Sequence, residues 1–127
     1  MGAASRSASA LAHFELAVFH DNNDREAEAI PHYAAAIRRG LKGARAVRAR
    51  AWLASSYWKV GRPDSALQLI GGLHGARMSP ELRAWIDRLE GRLTRDRKRY
   101  ARRAGARAPQ TDEVSGARGR VGTRGPP

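Results

Sequence analysis

Histidines and carboxylates are the residues of this chain whose types could do chemistry. There are four histidines: His13, His20, His32 and His74. His13 and His20 stand seven residues apart, a spacing that puts both on one helical face and could offer two nitrogens to a metal ion. No His-x3-His pair and no cysteine supports them, and both fall among positions expected to pack, so no metal is expected. Asp21, Asp24, Glu26 and Glu28 form an acidic cluster near a turn, where favourable electrostatics at a helix start account for them. No serine sits in a nucleophile motif. Neither Gly71-Gly72 nor Gly40/Gly43 leads into the Lys-Ser/Thr of a phosphate loop. The expectation is a protein that is not an enzyme and carries no cofactor.

The cations form a second pattern. Lys and Arg number 24 against 12 Asp and Glu, a net charge of +12, and nearly all the cations are Arg. Arg88, Arg92, Arg95, Arg99 and Arg102 recur at i, i+4, i+7, i+11 and i+14 and share one helical face. Such a stripe could track the phosphates of a nucleic acid or another polyanion. It lacks the interleaved aromatics of single-strand binders, Tyr100 excepted, and Glu90 and Asp96 lie near it as on an ordinary solvated face. Arg is also abundant together with Ala and Gly, as codon usage alone can produce.

The elements that must carry these residues read as helices. Ala, Leu and Arg lead the helix-propensity ranking, and no period-2 run of strand length occurs. From Ala10, the positions Leu11, Phe14, Leu16, Val18 and Phe19 predict a first helix ending at Asp21–Asp24. Asn23 and Glu26 have the spacing of a capping box. They predict a second helix over 24–39, with Pro31 inside it and a stop at Gly40. A third helix is expected over 44–60, ended by Gly61, and a fourth opens at Arg62-Pro63-Asp64. Ser79-Pro80-Glu81 combines a cap, a first-turn proline and an acid. It predicts a fifth helix to about Arg103, with Leu82, Trp85, Ile86, Leu89 and Leu93 on its apolar face.

Two of the hairpins so formed repeat. Leu16-Ala17 recurs as Leu53-Ala54, His20 aligns with Tyr57, Ala29 with Ala66 and Tyr33 with Ile70, all 37 residues apart. The alanines suit a close crossing of two helices, and the bulky residues fill the space around it. These residues resemble the tetratricopeptide repeat, whose pattern is Trp-x2-Leu-Gly-x2-Tyr followed by Ala-x3-Phe. The stretch from Leu53-Ala54 through Tyr57 and Gly61 to Ala66-Leu67 is the closer match. The first unit, Glu28-Ala29-Ile30-Pro31-His32-Tyr33-Ala34-Ala35-Ala36-Ile37 with Gly40-Leu41 after it, looks like a bacterial branch of the same family. The opening Trp is His13 in one unit and Arg50 in the other, the usual Gly is Ala, and the period exceeds 34 by three. That excess suggests an extended connection around Gly40–Gly43.

The resemblance implies an all-α fold of tandem antiparallel helical hairpins, about two repeats, plus a long C-terminal capping helix. It implies a concave surface lined by the first helix of each hairpin, which holds a peptide. Carried over, Leu11, Phe14 and Val18 line one end of that groove and Arg48, Trp52, Ser55 and Lys59 the other. The expected function is a protein–protein adaptor taking a peptide with acidic character; nonspecific nucleic-acid binding through the Arg stripe is the alternative. The expected layout is a flexible N-terminus over 1–9, the helical domain over 10–103 and a disordered basic tail over 104–127. No run approaches the roughly 18 apolar residues of a membrane span, and no long apolar stretch precedes Glu15. With cysteine absent, these features lead to an expectation of a cytoplasmic protein that could also form oligomers.

Overall fold

The computed structural model describes the backbone of residues 3–106. Its regular structure is helical throughout: α1 (Ala3–Asn22), α2 (Glu26–Arg38), α3 (Gly43–Lys59), α4 (Pro63–Gly71) and α5 (Pro80–Ala106). Helices α1 and α2 pack as one hairpin and α3 and α4 as a second, while α3 also packs on α2 and α5 on α4. The expected all-α architecture of two hairpins and a long closing helix is present.

Local chemistry explains where the helices begin and end. Both hairpin turns contain one residue in the left-handed region, Asp24 at φ 58° and Gly61 at φ 81°, again 37 positions apart. In each, the next amide closes the turn on the same carbonyl: Arg25 N–H donates to the His20 carbonyl at 2.9 Å, and Arg62 N–H to that of Tyr57 at 2.8 Å. This is the glycine-type helix stop, with aspartate tolerating the conformation in the first unit. Gly40 at φ 90° and Gly43 at φ 65° flank the connection between hairpins, where the three extra residues of the period were expected. Ser79 Oγ accepts the Leu82 N–H at 3.1 Å, the expected cap of α5.

Two boundaries differ from expectation. The Asn23/Glu26 capping box does not form. Arg25 is the residue before α2, with no side-chain cap, and Asn23 Nδ2 instead donates to the Phe19 carbonyl at 2.7 Å. The reason is that α1 runs to Asn22, so Asn23 serves the unsatisfied carbonyls of the preceding helix. Helix α1 also starts at Ala3, inside the stretch expected to be flexible. Its alanines favour helix, Ala10 is buried, and Ser9 Oγ accepts a hydrogen bond from Arg39 Nη1 at 2.8 Å. At the other end α5 continues to Ala106. The rest of the basic tail expected over 104–127 lies outside the described residues.

Two apolar clusters form the core, one per hairpin. The first joins Ala17, Ala29 and Tyr33 to Ala49 and Leu53 of α3. The second joins Ala51, Ala54, Ala66, Ile70 and Leu73 to Ile86, Leu89 and Leu93 of α5. Ala17, Ala29, Ala54 and Ala66 are all fully buried, as the close-crossing reading requires. Each hairpin therefore completes its core with the first helix of whatever follows. Helix α5 is that helix for the second unit, with Leu82 partly buried beside it. Arg83 fastens it, its guanidinium donating to the Leu73 carbonyl at 3.1 Å and the Ala76 carbonyl at 2.6 Å.

Unfolding measurements can check these assignments. Ile86→Ala should cost about 2–5 kcal/mol in urea denaturation, the range for emptying a buried aliphatic site. Gly61→Ala should cost about 1–2 kcal/mol, because nothing crowds the added methyl and only the positive φ opposes it. Gly71→Ala, helical and equally open, should instead stabilise by about 0.5–1 kcal/mol.

Candidate functional site

On the first hairpin the polar side chains serve each other. His13 and His32 stack with centroids 5.2 Å apart, and their Nδ1 atoms lie 3.0 Å apart. One ring must donate there and the other accept, so the contact requires unlike protonation at the two Nδ1 atoms. His20 also stacks on His32, with centroids 5.6 Å apart. Burial, followed by the charges of Arg39, His32 and Arg38, pushes the His13 pKa below its usual 6.5. Among the described residues no three His, Asp or Glu side chains converge to hold a metal ion.

The acidic cluster divides between two helices. Glu26 and Glu28 lie in the first turn of α2, as the electrostatic reading requires. Asp21 instead belongs to the end of α1, where its Oδ2 accepts the Tyr33 hydroxyl at 2.8 Å. Burial raises the pKa of Asp21, opposed by the Tyr33 hydrogen bond and by Lys59. Burial and then the neighbouring Asp21 raise that of the Tyr33 hydroxyl. The Tyr33–Asp21 hydrogen bond ties α1 to α2.

The more open chemistry lies between α3 and α5. Ser55, Trp58 and Lys59 from α3 and Trp85, Arg88, Leu89 and Arg92 from α5 line a cavity of about 240 Å³. Trp58 Nε1 donates to Asp96 Oδ2 at 2.9 Å, which fixes the indole. The Arg92 guanidinium sits over the same ring, 5.7 Å from its centroid, within cation–π range. Lys59 Nζ lies 3.4 Å from Glu26 Oε2, so part of its charge is already matched. Arg88 and Arg92 are exposed at the rim. An aromatic-walled cleft with cations at its mouth can hold an apolar anchor while meeting a neighbouring carboxylate.

The residues expected at a site thus fall into several groups. Ser55 and Lys59, expected in a peptide groove, meet Arg88 and Arg92, expected in a polyanion stripe, around one cavity. Arg48 stands apart, lining a second cavity of about 320 Å³ with Val47, Met78 and Leu82. Phe14 stacks on Trp52 at 6.0 Å with ring planes 10° apart, joining α1 to α3. Phe14, Val18 and Trp52 are partly buried against the first core cluster, and Leu11 is half-buried. Arg95, Arg99 and Arg102 continue along α5, exposed. The sequence reading missed Trp58 and Trp85 as site residues. Trp85 was counted as core, and only its half-burial beside Arg88 separates it from Ile86 and Leu89.

Fold and site together define a helical-hairpin repeat, and no described helix is long and apolar enough to cross a bilayer. Residues 10–103 match the family model described as tetratrico peptide repeat, so the chain belongs to the tetratricopeptide repeat family. No curated protein and no solved structure matches it. Membership makes it a protein–protein interaction module of the coarse kind the sequence suggested.

The depressed His13 pKa carries a stability consequence. Below 6.5 the unfolded chain takes up a proton that folded His13 resists, so stability is present above that pH and is lost as pH falls through 6.5 toward the folded value. His13→Asn should flatten the pH dependence of the urea midpoint in this interval relative to the parent chain.

Proposed function

We propose that this chain is an adaptor that captures an acidic segment of a partner protein in the cleft between α3 and α5. The observation that carries the reading is the convergence of Lys59, Arg88 and Arg92 around Trp58 and Trp85. An apolar or aromatic side chain of the partner fills the indole-walled cavity. Flanking carboxylates meet Arg88 and Arg92, which supply fork-shaped donors. The Phe14–Trp52 stack continues the aromatic surface toward α1 and supplies the apolar end of the groove.

Nucleic-acid binding through α5 is the second reading. It is favoured by the exposed run of Arg95, Arg99 and Arg102 beyond the cavity. The two readings use different parts of one helix, so variants can separate them.

Titration of tryptophan fluorescence with peptides rich in Asp and Glu around a single Trp or Phe provides the test. Arg88→Glu with Arg92→Glu should weaken binding by about tenfold or more, as expected for removing and reversing charge-assisted contacts. Arg95→Glu, Arg99→Glu and Arg102→Glu together should change it little. A chain that ignores such peptides yet shifts DNA in a salt-titrated gel, with the shift abolished by the second set, would replace the adaptor reading with the polyanion one.

A further inference from the structure

One surface of α1 is exposed whose equivalent is buried in α3 and, apart from the half-buried Glu90 at the position of Leu53, in α5. In α3, Ala49, Leu53 and Ser56 are buried, Ala49 and Leu53 against Ala29 and Tyr33 of the preceding hairpin. In α5, the positions 37 further on from Ala49 and Ser56 are Ile86 and Leu93, buried with Ala66 and Ile70. The counterparts in α1 are Ala12, Leu16 and Phe19. All three are exposed, Leu16 by 44% and Phe19 by 57%. Ser5 and Ala8, also exposed, extend the same stripe toward the N-terminus of α1.

The stripe has a symmetry that selects its occupant. Ser5, Ala8, Ala12, Leu16 and Phe19 are spaced three, four, four and three residues apart, a sequence of intervals that reads the same in both directions. A second α1 laid antiparallel about a two-fold axis at Ala12 brings Leu16 over Ala8 of the second copy and Phe19 over Ser5. Large side chains then meet small ones along the whole contact, as an isologous interface requires. Charge agrees. Residues 1–40 hold five acidic side chains and four cations, so the excess of +12 lies entirely beyond them. Two copies joined through α1 meet on nearly neutral surface and keep their basic halves away from the contact.

We infer that the chain forms a two-fold homodimer through the Ser5–Ala8–Ala12–Leu16–Phe19 face of α1. This surface shares no residue with the cavity between α3 and α5, so dimerisation leaves that cleft open and doubles it.

Sedimentation equilibrium of the full chain tests this, alongside oxidative cross-linking. The parent chain should sediment as a dimer, and Leu16→Lys with Phe19→Lys should sediment as a monomer with an unchanged circular dichroism spectrum, since both side chains are exposed. The chain has no cysteine, so Ala12→Cys introduces a single thiol at the axis. Mild oxidation should link it to its own copy, while Arg45→Cys should not link. A parent chain monomeric across the micromolar to millimolar range would overturn the inference, whatever else covers α1. So would a dimer that survives the double lysine variant, or an Ala12→Cys variant that stays unlinked.

Discussion

The structure rests on the close crossing of paired helices at alanine. Ala17 and Ala29 lie in one buried cluster and Ala54 and Ala66 in the other, all four fully buried, so small side chains stand where the paired helices pack together. Tyr33 and Ile70 then fill the space beside the crossing. Because the crossing recurs at one interval, the first helices of successive units come to lie side by side. That alignment brings α3 and α5 together and creates the cleft between them. A larger side chain at any of these four positions would force the helices apart and carry the cleft walls with them.

One hairpin cannot bury both of its apolar faces. The first is completed by Ala49 and Leu53, the second by Ile86, Leu89 and Leu93. Helix α5 therefore has two tasks on adjoining faces. Its inner residues Ile86, Leu89 and Leu93 close the core, and the residues just before each, Trp85, Arg88 and Arg92, form a wall of the cavity. The Trp58–Asp96 hydrogen bond and the hold of Arg83 on the Leu73 and Ala76 carbonyls keep those faces in register. Stability and recognition are thus coupled through one helix, and loosening its seat also loosens the cleft.

The first unit is built from the same plan with different materials. Where the second uses Gly61 in its turn, the first uses Asp24; where the second packs Tyr57 and Ile70 around its crossing, the first uses His20, stacked on His32, and Tyr33, hydrogen-bonded to Asp21. The stacked histidines and the Tyr33–Asp21 hydrogen bond make its interior more polar and sensitive to protonation. The near-neutral first unit and the basic second one divide the molecule electrically, which matters for any surface where two chains meet.

Sequence alone determined the helices, the repeat and the family. Helix boundaries are local events, with Gly61 and Gly40 as stops and Ser79 as a start, and the buried alanines recur at an interval that can be read without coordinates. It erred at Asn23, where one side chain could cap either of two adjoining helices and the length of α1 decided between them. Tertiary structure alone decided the site. Ser55 and Lys59 on one helix and Arg88 and Arg92 on another each read as an amphipathic face, and nothing in their spacing says that they share a cavity. Trp58 and Trp85 have the composition of core residues; only the packing angle of α5 on the second hairpin leaves them half open. Periodicity reports which side of a helix turns inward, whereas a cleft depends on how two helices lean against a third element, and that is a property of the packed whole.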